Sequence, residues 1–350
     1  MNAILTVEDL TVRFPVGRNV FGRPRGMLTA VDHVSLTVPR HQTVGLVGES
    51  GSGKSTLGRA VLRLIPSQSG TIAFDGSDIS QLGSRALRTL RPRMHLIFQD
   101  PYSSLDPSWE VEDLVAEPLG TVEPPTNRRQ RRALVIEALE RVGLSATHLN
   151  RYASQFSGGQ RQRLAIARAL VTRPDLIVCD EAVSALDVST RSQIINLLAD
   201  LQKSFGMTYL FIAHDLALVR HISDRIAVMY LGAIVEEGPA QRVYEKPAHP
   251  YTRSLLSAIP RLDPAARQQE RIVLSGELPS PLALPSGCRF RTRCPHAMPI
   301  CAEVTPPVVA APGGGWAACH LNAQSGSIPI SVPPDTATPG QMPAGAPAND

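Results

Sequence analysis

Between Gly48 and Thr56 the chain reads GESGSGKST, a run whose residue types suit the holding of a phosphate chain. Gly48, Gly51 and Gly53, with Ser50 among them, let backbone N–H groups close around phosphate oxygens, and the helix that follows directs the positive end of its dipole at the same place. Lys54 is spaced to reach the β- and γ-phosphates of a nucleoside triphosphate. Ser55 would set a hydroxyl on Mg²⁺, and Thr56 leads into the helix. The pattern has this meaning only between a strand and a helix. The apolar run at 43–47 and the helix-like stretch at 57–62 supply both.

Hydrolysis requires more: a carboxylate for the metal, a base to position water, and charge near the γ-phosphate. LIVCDE, from Leu176 to Glu181, offers the first two. Its four apolar residues make a buried strand, Asp180 at the strand end can hold Mg²⁺ through water, and Glu181 is the candidate base. The same two acids could simply cap the strand, but the loop at Gly48 favours chemistry. Between these elements lies FSGGQRQRLAIARAL, from Phe156. There Ser157, Gly158 and Gly159, with Gln160 behind them, open a helix whose free amides form a second anion-binding end.

These residues need a frame. Alternating apolar residues predict strands at 4–14 and 29–38, with a Gly/Arg-rich loop at 17–26 between them. Short strands are expected at 71–74 and 94–98, and a helix over 128–142 that stops at Gly143. A helix over about 157–171 precedes the LIVCDE strand and another follows over 190–201. A strand at 208–212 runs into Ala213, His214 and Asp215, and 225–230 with 233–237 reads as a closing pair. Alternating strands and helices imply an α/β fold, a mostly parallel sheet with its ligand at the strand C-terminal ends.

The 350 residues, 43% hydrophobic and 19% charged, fit a large α/β domain with an appendage. No apolar run is long enough to cross a bilayer. The start carries Glu8 and Asp9 and reads as a strand, not a signal peptide, so a cytoplasmic protein is expected. A net charge of +4 is too slight to indicate nucleic acid. Arg13, Arg18, Arg23 and Arg25 read as a solvated basic loop. Beyond about Pro247 proline rises, periodicity fades and four of the five cysteines appear. From Leu321 the tail has no Lys or Arg and is expected to be disordered.

With these motifs in this order, the chain resembles the nucleotide-binding subunit of an ATP-binding cassette (ABC) transporter, over about Ile4 to Gly238. GESGSGKST resembles the Walker A loop, LIVCDE the Walker B strand, and FSGGQ the signature, usually LSGGQ. The resemblance implies a P-loop fold with N-terminal antiparallel strands and a helical signature subdomain. It makes Gln99 in IFQD the Q-loop glutamine, which with Ser55 and Asp180 serves Mg²⁺ and joins the site to the permease contact. Asp187 in SALD matches the D-loop and His214 in IAHD the switch histidine at the γ-phosphate, so Glu181, His214 and Gln99 become the catalytic set. Two such domains pair head to tail in the family, so Ser157, Gly158, Gly159 and Gln160 would act on the partner's ATP. Phe14 is placed like the aromatic that stacks on adenine, or is an ordinary strand-end core residue. Phe156 for leucine and Ala182-Val183 for the common Pro-Thr depart from the pattern without removing a polar group.

HPYTRSLLSAIPRLDP from His249, GELPSP from Gly276 and SGCRFRTRCP from Ser286 resemble the C-terminal extension of dipeptide and oligopeptide importer ATPases, the F-type subunit in particular. The organisation then implied is a nucleotide-binding domain at 1–246 with its helical part at about 100–172, an extension at 247–320 and a tail at 321–350. Implied partners are a second ABC ATPase, two permease subunits and an extracytoplasmic peptide-binding protein, with this chain on the cytoplasmic face of the inner membrane. Dipeptide, oligopeptide, glutathione or nickel cargo stays open. A DNA-acting ABC protein would need a coiled-coil insert that the interval from Thr56 to Phe156 is too short to hold, and a translation-type one would need two cassettes. Cys288, Cys294, Cys301 and Cys319, clustered in a cytoplasmic chain, suggest a metal site suited to Zn²⁺ or an iron–sulfur cluster. The related importers imply [4Fe–4S]. Cys179, inside the buried strand, reads as core.

Overall fold

The computed structural model describes residues 2–18, 24–100, 104–121, 127–259, 272, 274 and 276–324. Strands β1 (Ala3–Arg18) and β2 (Pro24–Pro39) pair antiparallel from Ala3↔Pro39 to Arg18↔Pro24. Of the expected loop at 17–26, residues 17, 18 and 24–26 are strand, and 19–23 lie outside the described residues. Backbone pairing continues past the last apolar residues, because a ladder needs only free N–H and C=O groups, which the polar residues here also supply. With β4 (Ser69–Phe74) and β5 (Ser77–Asp78) these strands form a four-stranded sheet in the order β2-β1-β4-β5. Its inner face carries Ile4, Leu5, Val7, Leu10 and Val12, each essentially inaccessible to solvent. Burying side chains of this size stabilises by roughly 1.5–3 kcal/mol each.

The second sheet holds the site. From edge to edge its strands are 308–310, 316–318, 233–239, 225–230, 43–47, 208–213, 176–180 and 94–97. β3 (Thr43–Val47), β6 (Met94–Ile97), β7 (Leu176–Asp180), β8 (Thr208–Ala213) and β9 (Arg225–Tyr230) are mutually parallel. Every residue of β3, β7 and β8 is buried. That is why these segments read as unbroken apolar runs: one face packs on helices, and the other on the helix Lys54–Val61 and the first sheet. Cys179 is fully buried in this core, as expected.

The register decides what meets what. Val47 lies beside Ala213, Ile212 beside Asp180, and Cys179 beside Ile97. The chain therefore leaves β3, β8, β7 and β6 at nearly the same level, and adjacent strands sit about 4.8 Å apart. The residues that follow these strand ends become neighbours although more than a hundred positions separate some of them.

Among the described residues, the part expected at about 100–172 carries α3 (Val111–Ala116), α4 (Arg128–Arg141) and α5 (Gly158–Leu170), after α1 (Lys54–Val61) and α2 (Ser84–Leu90). Asn127 caps α4 by accepting from Gln130 N at 2.9 Å, worth about 1 kcal/mol. Pro101 to Ser103 of the IFQDPYSSLDP motif lie outside the described residues. After β7 comes α6 (Val188–Phe205), longer at both ends than its apolar spacing suggested, since Asp187 caps it and Gly206 closes it with φ 63°. A further helix, α7 (Leu216–Ile222), follows β8.

The chain then pairs β9 with β10 (Ala233–Pro239) in antiparallel fashion, as expected. The extension joins the same sheet. Its hairpin β11 (Val308–Ala310) and β12 (Trp316–Ala318) adds to β10 through Glu236↔Ala317 and Glu237↔Trp316. Residues 321–324 belong to a short helix, His320–Gln324, so the expected disorder does not begin at Leu321. The rest of that tail lies outside the described residues. Among the described residues no helix is long and apolar enough to cross a membrane.

Candidate active site

The phosphate loop runs from the end of β3 into α1. Gly53 adopts φ 104°, and a Cβ there would stand 2.1 Å from Ala30 O, so no other residue fits this turn. Lys54 begins α1 and folds its side chain back into the loop. Its ammonium donates to Gly48 O and Glu49 O at 2.8 Å each and to Ser52 Oγ at 3.4 Å. Burial pulls Lys54 below the ordinary lysine range, while the charges of Glu181, Asp180 and Glu49 oppose that shift. A cation held in carbonyl oxygens at the mouth of a helix is ready to exchange them for phosphate oxygens.

Ser55, one residue on, donates to Asp180 Oδ1 at 2.6 Å. Asp180 is almost wholly buried at the end of β7. This hydroxyl–carboxylate pair, at the strand edge beside the loop, is a hard-oxygen set of the kind Mg²⁺ takes. Arg59, not anticipated from the sequence, places Nη2 3.7 Å from Asp180 Oδ2.

Glu181 leaves the strand with φ 48°, in the left-handed region that costs a side-chain-bearing residue about 1–2 kcal/mol. Its neighbours hold it there: Glu181 N donates to Ile212 O at 3.0 Å, and Ser184 N and Oγ return bonds to Glu181 O at 3.0 and 2.9 Å. The Glu181 side chain is 17% exposed. Gln99 Nε2 donates to Glu181 Oε2 at 2.9 Å from the end of β6. His214 Nδ1, from the end of β8, stands 3.9 Å from Glu181 Oε1. One carboxylate is thus flanked by an amide and an imidazole from two other strands.

The structure therefore brings Lys54, Ser55, Gln99, Asp180, Glu181 and His214 into one connected set. Ser157 to Gln160 stand apart at the start of α5. Ser157 Oγ accepts from Gln160 N at 3.3 Å, and Gln160 Oε1 accepts from Ser157 N at 3.0 Å, a reciprocal capping box. Gly159 packs on the start of α6, where an added Cβ would meet Thr190 Cγ2 at 2.5 Å. Asp187 caps α6, accepting from Thr190 N at 2.9 Å and Ser189 Oγ at 2.7 Å, bonds that hold its carboxyl well below the usual carboxylate range. Among the described residues no hydrogen bond joins Ser157 or Gln160 to the phosphate loop. Phe14 lies at the β1–β2 pair opposite Leu28, 37% exposed, so it is no core residue.

The extension presses on this site, which the sequence did not signal. Tyr251 of the helix Pro250–Ser257 accepts from Glu49 N at 2.9 Å, and Arg293 bonds both oxygens of the Glu49 carboxylate. Arg289 donates to Leu231 O at 2.6 Å and pairs with Asp32. Phe290 is buried between them, its ring centroid 5.3 Å from Tyr230 and 5.4 Å from Tyr251.

The expected metal site does not form in this arrangement. Among the described residues no group of three His, Cys, Asp or Glu side chains is placed to hold a metal ion. Cys288, Cys294, Cys301 and Cys319 do gather near one another, with Cys288 N donating to Cys301 O at 2.8 Å. Burial, reinforced by the neighbouring cysteines, pushes the Cys288 thiol up to about 11 and raises Cys294 and Cys319 as well. Burial thus favours the neutral thiol at Cys288, Cys294 and Cys319, and a metal bound there would have to displace their protons.

Comparison with known proteins agrees with the motifs. The ABC transporter family profile matches residues 31–184, and that of the oligopeptide/dipeptide transporter C-terminal region matches residues 235–301. The oligopeptide transport ATP-binding protein AppF of Bacillus subtilis is 48% identical over 91% of this chain and 97% of its own length. The oligopeptide transport ATP-binding protein OppF of Salmonella typhimurium is 48% identical over 87% of this chain and 92% of its own. Among solved structures, a dimeric ATP-binding cassette in a post-hydrolysis state bound to ADP and Pi superposes with a TM-score of 0.60 at 28% identity, over 67% of this chain and 98% of that one. CbiO1 from Clostridium perfringens, part of an ABC transporter complex, gives 0.60 at 29% identity over 71% of this chain and 93% of its own.

Proposed function

The chain belongs to the ABC transporter family of ATP-binding proteins, and from that premise we propose that it hydrolyses ATP to drive peptide import through a membrane permease. The observation that carries the reading is the convergence of Lys54, Ser55, Asp180, Glu181, Gln99 and His214 at the ends of four adjacent parallel strands. Near-full-length identity to oligopeptide transport ATP-binding proteins supports the cargo class.

In this reading the glycine loop, with Gly48, Ser50, Gly51, Gly53 and Thr56, wraps the phosphates, and Lys54 gives up loop carbonyls for phosphate oxygens. Ser55, Asp180 and Gln99 would hold Mg²⁺, which neutralises charge on the phosphate oxygens when bound. Glu181 orients and deprotonates the attacking water. Gln99 fixes one carboxylate oxygen, and His214 stands on the other side, where it would meet the γ-phosphate. Ser157, Gly158, Gly159 and Gln160 act on the nucleotide of a second ATPase subunit, in keeping with their distance from this chain's own loop, and Asp187 works at the same junction. Phe14, exposed at the sheet edge, stacks on adenine.

The division proposed is a nucleotide-binding part at 1–246, its helical portion at about 100–172 meeting the permease, an extension at 247–320 and a tail at 321–350. The full assembly has two ATPases, two permeases and an extracytoplasmic peptide-binding protein, with this chain on the cytoplasmic face of the membrane. At Cys288, Cys294, Cys301 and Cys319 a [4Fe–4S] cluster, or Zn²⁺ in its place, is the finer reading. The gathering of the four thiols supports it, it requires them to close in and ionise, and metal analysis of anaerobically purified chain tests it.

Gentle solubilisation of host membranes and identification of co-purifying proteins tests the function. Two permeases and a second ATPase, with ATP-dependent peptide uptake in the reconstituted complex, are the expected result. Recovery of the chain alone from the soluble fraction would leave the ATPase and remove the transport.

A further inference from the structure

Glu49 is the one acidic residue in GESGSGKST, and it sits where a triphosphate would be cradled. An unpaired carboxylate there would repel the ligand the loop is built to hold. Every polar group of Glu49 is engaged. Its N–H donates to Tyr251 Oη at 2.9 Å, its carbonyl accepts from Lys54 Nζ at 2.8 Å, and its carboxylate takes Arg293 Nη1 at 2.7 Å and Nη2 at 3.1 Å. The Arg293 side chain is 10% exposed and that of Glu49 28%, so solvent screens the pair only in part. The Glu49 carbonyl also accepts from Ser52 N at 3.2 Å, and two of the four partners come from the extension, 202 and 244 residues away in sequence.

What holds Arg293 in place is equally specific. Phe290, three residues earlier, is buried against Tyr230, Tyr251 and His249. Arg293 N donates to Phe290 O at 3.0 Å, closing a turn that aims the guanidinium back at the loop. Arg289, on the other side, is tied to Leu231 O and Asp32. The stretch CRFRTRC thus presents a fork whose planar geometry matches one carboxylate.

We infer that Arg293 is a positioning residue for the phosphate loop, cancelling the charge of Glu49 and fixing its carboxylate so that the loop accepts a nucleoside triphosphate. The extension then sets the affinity of the site for ATP. This inference rests on the ATP-binding reading of the Gly48 loop and adds to it a residue outside the nucleotide-binding motifs.

The test is steady-state MgATP hydrolysis and equilibrium ATP binding by the full chain, in wild type and five variants. Arg293→Gln is expected to raise KM and Kd for ATP about tenfold with kcat within about twofold, the split expected when ground-state binding alone is weakened. Arg293→Lys keeps the charge but loses the fork, and should raise KM by only about threefold. Glu49→Gln should not raise KM, and Arg293→Gln/Glu49→Gln should return it to near wild type, because no carboxylate then needs cancelling. A merely structural arginine would not be rescued by removing its partner.

Arg291→Gln is the neighbouring control, since that arginine bonds Ser286 within the extension, and it should leave KM unchanged. Unchanged affinity in Arg293→Gln, or a double variant as weak as the single, overturns the inference. Should Arg293→Gln fail to fold, Glu49→Gln and Arg293→Lys decide, and a raised KM in Glu49→Gln overturns it. Wild-type chain that binds no ATP would instead overturn the ATPase reading.

Discussion

The nucleotide site and the extension that leans on it both rest on buried polar groups, but they are assembled from different kinds of sequence. In the nucleotide site each functional side chain sits within a few residues of a strand end, and the parallel register does the assembling. Lys54, Glu181, His214 and Gln99 need only that β3, β7, β8 and β6 stop at one level. In the extension nothing is set by a regular ladder until β12 meets β10 at Glu237↔Trp316. Arg289, Phe290 and Arg293 are held by one aromatic cluster and by partners scattered from Asp32 to Tyr251. A site placed by register can carry strain such as the left-handed Glu181, because the sheet overdetermines it. A region placed by side chains should be vulnerable to loss of a single one of them.

That contrast can be broken by experiment. Glu181→Gln should lower kcat by about a hundredfold to ten-thousandfold, the range for loss of a general base, while ATP binding and unfolding midpoint stay near wild type. Turnover within threefold of wild type would remove Glu181 from the chemistry. Phe290→Ala makes the opposite demand. Emptying a buried aromatic site between Tyr230 and Tyr251 should cost about 3–5 kcal/mol of stability, with kcat per folded molecule within about twofold. If urea unfolding shows a loss below about 1 kcal/mol, the extension is not held by this cluster, and the contrast fails on that side.

The same contrast explains what could be read from the chain alone. Gln99 and His214 take their roles from the family resemblance, whereas Lys54, Ser55, Asp180 and Glu181 lie in short stretches with their own pattern, glycine spacing around Lys54 and a four-residue apolar run before Asp180. Local chemistry and local structure agree there, so the sequence carries the answer. Glu49 lies inside the same loop and was legible only as a filler position, because its partner Arg293 is 244 residues away. Arg59 likewise has no signal of its own, although it stands 3.7 Å from Asp180. Of the loop expected at 17–26, residues 17, 18 and 24–26 pair as strand, since backbone pairing is indifferent to the arginines and glycines that suggested a turn. The cysteines showed their proximity through spacing. They did not show that burial would leave Cys288, Cys294 and Cys319 with raised thiol pKa values.

His249 offers the finest division between the two regions. It is buried at the start of the helix Pro250–Ser257, where its Nδ1 accepts from Tyr251 N at 3.1 Å and caps that helix. An accepting Nδ1 leaves the proton on Nε2, so a second proton would destroy the cap. Burial, with Arg253 adding like charge, pushes the imidazole down to about 3. In the unfolded chain the same group titrates near its ordinary value of about 6.5. Between those values the unfolded chain binds a proton that the folded chain refuses, so this stability is fully present above about 6.5 and is lost as pH falls toward 3. From pH 7 to pH 5 the loss from this one group amounts to about 2 kcal/mol. His249→Asn keeps a side-chain oxygen for the cap and removes the titration, so its unfolding free energy should fall by about 2 kcal/mol less over that interval. His95, likewise pushed down to about 4 by burial beside β7, remains in both proteins and supplies a common residual slope. Equal pH dependence in variant and wild type would mean that His249 is not held neutral by the fold.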